Sequence, residues 1–209
     1  MKVVIFGATG RTGKYLIDQA LAQGHSVTAF ARTPSKLTIT HERLHVIQGD
    51  VLDAFAVEQA VKGQDAVLSV LGLKQGGSTT ILIEGTQQII KAMKNCGVER
   101  IICVVTAGFL GERPTSIIGK LLVWFYRISA KQYMEPSRLQ SQALGQSGLK
   151  WTAIRAILLN DGPPKGNYRI ATENIPKGGY QINTGDMAEF MLRQISSDEY
   201  IGQIPAIAY

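Results

Sequence analysis

The stretch from Lys2 to Ala31 constrains this chain more than any other. An apolar run, Lys2-Val3-Val4-Ile5-Phe6, leads directly into Gly7-Ala8-Thr9-Gly10-Arg11-Thr12-Gly13, then into a helix-like segment from Lys14 to Gln23 and a second apolar run from His25 to Ala31. Strand, glycine turn, helix and strand within about 30 residues is the spacing of a βαβ unit. Gly7 permits the tight turn, Gly10 lets the backbone approach a ligand, and Gly13 lets the helix lie close to the strand. The free N–H groups at the start of such a helix converge on one place and favour an anion, a pyrophosphate above all. The unit therefore reads as a dinucleotide-binding site; a glycine turn kept for packing alone is the alternative.

An acidic residue about 20 residues beyond the glycines would hold the adenosine ribose 2′-hydroxyl of NAD. That position carries none. Arg32 stands at the end of the second strand, with Thr33 after it and Lys36 one turn later. A guanidinium offers forked donors to a 2′-phosphate, and no carboxylate is there to repel one, so the cofactor reads as NADP(H). Solvated surface charge is the plainer reading of the same two residues.

Beyond this unit, short apolar strands alternate with amphipathic helices, as in a parallel sheet covered on both faces. Strands are expected at Leu44 to Gln48, Ala66 to Val70, Arg100 to Val105 and Trp151 to Arg155, and helices at Ala54 to Lys62, Thr80 to Asn95 and Pro136 to Gln146. The last two helices run to Gly97 and Gly148, where a helix C-terminus favours glycine. The fold class is α/β, a Rossmann-type doubly wound sheet. With 209 residues and 45% apolar content, one domain is expected over 1–209. A small substrate-side extension at about 156–185 carries weak strands near Tyr168 to Thr172 and Tyr180 to Ile182. A helix then begins near Thr184, and the chain closes on a strand at Gln203 to Ile207. The loops Gly72 to Thr79 and Gly108 to Ser116 follow strands, where open α/β sheets hold their ligands.

The net charge of +6 comes from scattered basic residues, which argues for anionic small ligands and against nucleic acid. Cys96 and Cys103 lack CxxC spacing and read as reduced thiols, with no metal site. The apolar N-terminus is too short for a signal peptide, so a cytoplasmic protein is expected. One segment is unusual: Ile117 to Ile128 is apolar on nearly every face if helical. It falls far short of the roughly 20 residues that span a bilayer, so no stable membrane insertion is expected. Core or subunit contact, with a homodimer as one form of it, a hydrophobic lid, and membrane-surface attachment through Lys120, Arg127 and Trp124 all remain open.

Several of these pieces, Gly7 to Gly13, Gly49-Asp50-Val51, Gly63-Gln64-Asp65-Ala66-Val67, Ser147-Gly148-Leu149-Lys150, Phe190-Met191-Leu192-Arg193 and Asp198-Glu199-Tyr200, together resemble the atypical short-chain dehydrogenase/reductase group. Within that group the chain is most similar to the biliverdin and flavin reductases. The resemblance assigns Thr9, Gly10, Arg11, Thr12 and Gly13 to the pyrophosphate and Arg32 with Lys36 to the 2′-phosphate. It sets Asp50 and Val51 against adenine, runs Leu71, Gly72, Leu73 and Lys74 along the cofactor, and puts Thr106 beside the nicotinamide.

Departures from the pattern bear on activity. The resemblance implies a serine where this chain has Ala107 and a substrate-side histidine where it has Leu158. The tyrosine-x-x-x-lysine pair of ordinary short-chain dehydrogenases is absent, since Tyr126 is followed four residues later by Ala130 and Tyr133 by Ser137. A carbonyl reductase needs such a donor for the developing alkoxide. A planar conjugated acceptor delocalises its own charge and can take a proton from solvent, which leaves orientation as the main demand on the protein. The expected activity is thus NADPH-dependent reduction of a small aromatic or conjugated acceptor, with FMN, FAD, a linear tetrapyrrole or a quinone as substrate. Substrate-side candidates are Thr106, Phe109, Leu158, Tyr126 and Tyr133, in an apolar pocket with Leu110 and Trp124, and with Arg155 or Lys74 near anionic groups. A non-catalytic NADP(H) sensor of the NmrA type, or an epimerase or dehydratase, would use the same cofactor half.

Overall fold

The computed structural model describes residues 1–72, 80–107, 124, 131–156 and 158–209, with 131–133 as backbone. Its architecture follows from alternation along the first strand. In β1 (Lys2–Phe6), Val3 and Ile5 face one side, against Leu16, Ile17 and Ala20 of α1 (Arg11–Ala22). Val4 and Phe6 face the other, in a cluster with Val57 of α2 (Ala54–Val61) and Ile89 and Met93 of α3 (Thr80–Cys96). Both faces of such a strand are buried, so it reads as a continuous apolar run. Each fully buried large side chain contributes about 1.5–3 kcal/mol relative to exposure.

The main sheet adds β2 (Ser26–Ala31), β3 (Leu44–Gln48), β4 (Ala66–Ser69), β5 (Arg100–Thr106) and β6 (Lys150–Ala156). These run parallel in the order β3-β2-β1-β4-β5-β6. The order reverses between β1 and β4, which opens a crevice at the carboxyl ends of the strands. Helix α4 (Lys131–Gly145) lies with α2 and α3 through Leu144, whereas α5 (Thr184–Arg193) lies with α1 through Met187, Phe190 and Met191. The doubly wound sheet expected from the sequence is therefore present.

The C-terminal part departs from expectation in detail. β7 (Leu158–Asn160) and β9 (Gln181–Asn183) form a separate parallel pair, and β8 (Arg169–Ala171) joins the main sheet antiparallel to β10 (Ala206–Ala208), itself parallel to β6. Arg155 anchors this part. Its side chain is fully buried and donates from Nη2 to the carbonyls of Thr172 (2.8 Å) and Asn174 (3.1 Å). Helix α4 starts upstream of Pro136, which therefore sits inside the helix and has no N–H to give to the carbonyl one turn back. α3 ends as expected, with Gly97 at φ 70° immediately after it. No helix among the described residues is long and apolar enough to cross a membrane.

Candidate functional site: a dinucleotide cleft

At the end of β1 the chain turns on Gly7, whose φ of 83° belongs to the left-handed region that favours glycine. A Cβ there would also lie 2.5 Å from the Val70 carbonyl oxygen. Gly10 closes the turn by donating its N–H to the Gly7 carbonyl (2.9 Å) and stands as N-cap of α1 with no side-chain cap. The first intrahelical bond is Lys14 N–H to Gly10 C=O (3.1 Å), so the N–H groups of Arg11, Thr12 and Gly13 have no acceptor among the described residues. Helix α2 contrasts with this, because Asp53 accepts from the N–H groups of Phe55 and Ala56. At Gly13 a Cβ would run into the Gly7 carbonyl oxygen. The cradle is thus built from backbone packed too tightly for any side chain, with free donors facing outward: the geometry a pyrophosphate requires.

This turn borders a cleft of about 940 Å³ at the carboxyl ends of the strands. One end is lined by Phe30, Arg32, Thr33, Lys36, Asp50 and Val51, the middle by Gly7 and Thr9 to Gly13, and the other end by Val104, Val105, Thr106, Ala156 and Leu159. At the first end β3 delivers a group that sequence order hides. Asp50 Oδ2 lies 3.9 Å from Arg32 Nη1, with both side chains about half exposed, while Asp50 Oδ1 accepts from the Leu52 N–H at 3.0 Å. A carboxylate therefore does stand beside Arg32, contributed by the loop that follows the neighbouring strand. Nearby packing is close: a Cβ on Gly49 would lie 2.6 Å from the Phe30 ring, and one on Gly85 would lie 2.9 Å from Val51.

A sequence profile described as NAD(P)H-binding matches residues 7–198. The chain belongs to that NAD(P)H-binding family. Among its relatives, the uncharacterised protein YwnB of Bacillus subtilis is 25% identical over 96% of this chain and 94% of its own length. Among solved structures, a Rossmann-fold NAD(P)-binding family protein from Shigella flexneri superimposes with a TM-score of 0.76 at 28% identity, covering 99% of this chain and 92% of that one. ChuY, an anaerobilin reductase from Escherichia coli O157:H7, does so with a TM-score of 0.80 at 20% identity, covering 100% and 97%. The last is a likeness of fold.

Gly7, Thr9, Gly10, Arg11, Thr12, Gly13, Arg32, Lys36, Asp50, Val51, Leu71, Gly72 and Thr106 all line the one cleft. Leu73, Lys74, Phe109, Leu110, Tyr126 and the Tyr133 side chain lie outside the described residues, as does the Ile117 to Ile128 segment apart from Trp124. Leu158 is 45% exposed on β7 and does not line the cleft; its neighbour Leu159 does, because successive residues of a strand face opposite ways. Trp124 is 60% exposed and away from the cleft lining, and Arg155 is used up in the fold. Ala107 is fully buried behind the end of β5.

Among the lining residues not singled out from the sequence are two polar ones, Ser137 and Gln140 of α4. Ser137 Oγ accepts from the Thr106 N–H at 3.1 Å, tying α4 to the end of β5. The only sequence signal for either was that Ser137 stands four residues after Tyr133, where short-chain dehydrogenases place lysine. Both cysteines lie off the cleft, and burial pushes the Cys103 thiol up to about 12, which keeps it from acting as a nucleophile. No cluster of three or more His, Cys, Asp or Glu suited to a metal occurs among the described residues.

Proposed function

We propose that the protein is an NADPH-dependent reductase that passes hydride to a planar conjugated acceptor, a flavin, linear tetrapyrrole or quinone. A nicotinamide dinucleotide bound in the cleft supplies that hydride. The observation that carries the reading is the segregation of charge along the cleft. Among the described residues, every ionisable side chain lining it, Arg11, Arg32, Lys36 and Asp50, belongs to the pyrophosphate and adenosine end. The opposite end offers Val104, Val105, Ala156 and Leu159, with hydroxyls and one carboxamide as its polar groups. Such an end can hold a flat apolar ring and exclude water, but among the described residues it presents no acid of suitable pKa to protonate an alkoxide. An acceptor that spreads the incoming electron pair over a conjugated system and draws its proton from water suits this lining. Arg32 and Lys36 support the choice of NADPH over NADH. The likeness to biliverdin and flavin reductases read from the sequence, and the named activity of ChuY, point to the same acceptor class.

The test mixes purified protein and NADPH with FMN, FAD, biliverdin and a quinone in turn and follows cofactor oxidation against an enzyme-free control. Turnover with at least one acceptor is expected. NADPH deuterated at the transferred position should show a primary isotope effect in single turnover. Tyr126→Phe and Tyr133→Phe should leave that step within a few-fold, against the roughly hundredfold loss expected on removal of a general acid. Tight NADPH binding with no turnover on any acceptor would replace this reading with that of an NADP(H) sensor.

A further inference from the structure

The carboxamide of Gln140 is out of keeping with its surroundings. The residue is 1% exposed on the inner face of α4, lines the cleft, and among the described residues has no hydrogen-bond partner for either Nε2 or Oε1. Its neighbours on that face are committed elsewhere. Ser137 Oγ accepts from Thr106 N–H, and Ser141 Oγ donates to the Ser137 carbonyl at 2.9 Å. A buried amide with both ends unspent destabilises the fold that carries it, and an apolar side chain of the same length would fill the space without that cost. Its retention at the wall of a ligand cleft therefore calls for a ligand that offers an acceptor for the N–H₂ and a donor for the C=O.

We propose that Gln140 is a positioning residue for the nicotinamide riboside half of the cofactor. The position along the cleft selects that half. Arg32, Lys36 and Asp50 mark the adenosine end, the Gly10 to Gly13 turn marks the pyrophosphate, and Gln140 stands at the remaining end with Thr106 and Ser137. Two groups on a nicotinamide riboside supply a donor beside an acceptor, the ring carboxamide and the ribose diol. Pairing with either fixes how far the ring enters and which face it turns to the acceptor. The inference rests on the cofactor part of the reading above and requires no turnover.

The experiment measures dissociation constants of NADP⁺ and of 2′,5′-ADP, which lacks the nicotinamide half, for the parent, Gln140→Met and Gln140→Asn. Both variants should bind NADP⁺ about tenfold more weakly and 2′,5′-ADP within about twofold of the parent, as expected for loss of a ligand hydrogen bond confined to one end. The unliganded melting temperature of Gln140→Met should equal or exceed that of the parent, because the variant removes orphaned polar atoms; a glutamine serving only the fold would lower it. The 3-acetylpyridine analogue of NADP⁺, whose acetyl group has no N–H, separates the two partners. If the carboxamide is the partner, the parent discriminates against the analogue and Gln140→Met does not; if the diol is the partner, both discriminate equally. Parallel weakening of NADP⁺ and 2′,5′-ADP, or unchanged NADP⁺ affinity in both variants, overturns the assignment. A parent that binds neither ligand would instead refute the NADP(H) site on which it rests. The reductase reading fails separately, by absent turnover.

Discussion

The Arg32 and Asp50 pair gives the sharpest test of cofactor choice. The two side chains are 53% and 48% exposed and 3.9 Å apart, so in the free protein the pair adds less than about 1 kcal/mol. A 2′-phosphate held at a similar distance from Arg32 would bring roughly −1.5 to −2 charges, a stronger partner than one carboxylate. Unit charges 4 Å apart interact by about 1 kcal/mol in water and about 4 kcal/mol at the effective dielectric near a protein surface. Half exposure places Arg32 toward the lower figure, and release of Asp50 subtracts part of the gain. The net is about 1.5–2 kcal/mol, or about ten- to thirtyfold in affinity. Arg32→Ala should therefore weaken NADPH by that factor and leave NADH within about twofold, and the difference should shrink as salt is raised. Asp50→Asn should act oppositely, strengthening NADPH by a few-fold because one like charge near the phosphate is gone. Calorimetric titration of both cofactors against the parent, each single variant and the double variant would check this. Equal losses of NADPH and NADH in Arg32→Ala, or no loss, would refute the argument that Arg32 reads the 2′-phosphate.

Two further outcomes follow from the same structure. Gly13→Ala would drive a Cβ into the Gly7 carbonyl and to 2.7 Å from the Ala8 carbonyl, so it should destabilise the protein by about 1–3 kcal/mol in urea unfolding and abolish detectable cofactor binding, whereas Gly145→Ala, whose Cβ meets only Trp151 at 4.0 Å, should do neither. The Tyr209 phenol donates to the fully buried Asp186 carboxylate at 2.5 Å, and burial together with that bond pushes it up to about 12. A group raised above its ordinary value near 10 contributes stability that is whole below pH 10 and lost as pH climbs toward 12. Tyr209→Phe should lower stability by about 1–2 kcal/mol at pH 8 and flatten part of the decline between pH 10 and 12, with Tyr168 and Tyr200, also held up, retaining the rest; parallel pH profiles for parent and variant in urea unfolding would contradict this.

The local signals in the chain determined much of this protein. Apolar runs punctuated by glycine specify the alternation of strand and helix, because both faces of every central strand must be buried and each helix needs one apolar stripe. The Gly7, Gly10 and Gly13 spacing specifies the tight turn into α1, because the positive φ at Gly7 and the close backbone approach at Gly13 are properties of single residues. That Arg32 and Lys36 line the cleft was readable because Arg32 follows directly on a strand that the pattern already located and Lys36 stands one turn on, whereas Thr106 was reached through the family resemblance. The pairing of Arg32 with Asp50, the choice of Leu159 over Leu158, the use of Arg155 to bind the carbonyls of Thr172 and Asn174, and the unspent amide of Gln140 were decided only by tertiary structure. Each depends on which groups from distant parts of the chain meet across strands or between helix and sheet, and on which hydrogen bonds remain unmade after they meet. A residue's chemistry is written in the sequence, but whether it is already satisfied by a neighbour is a property of the packed fold.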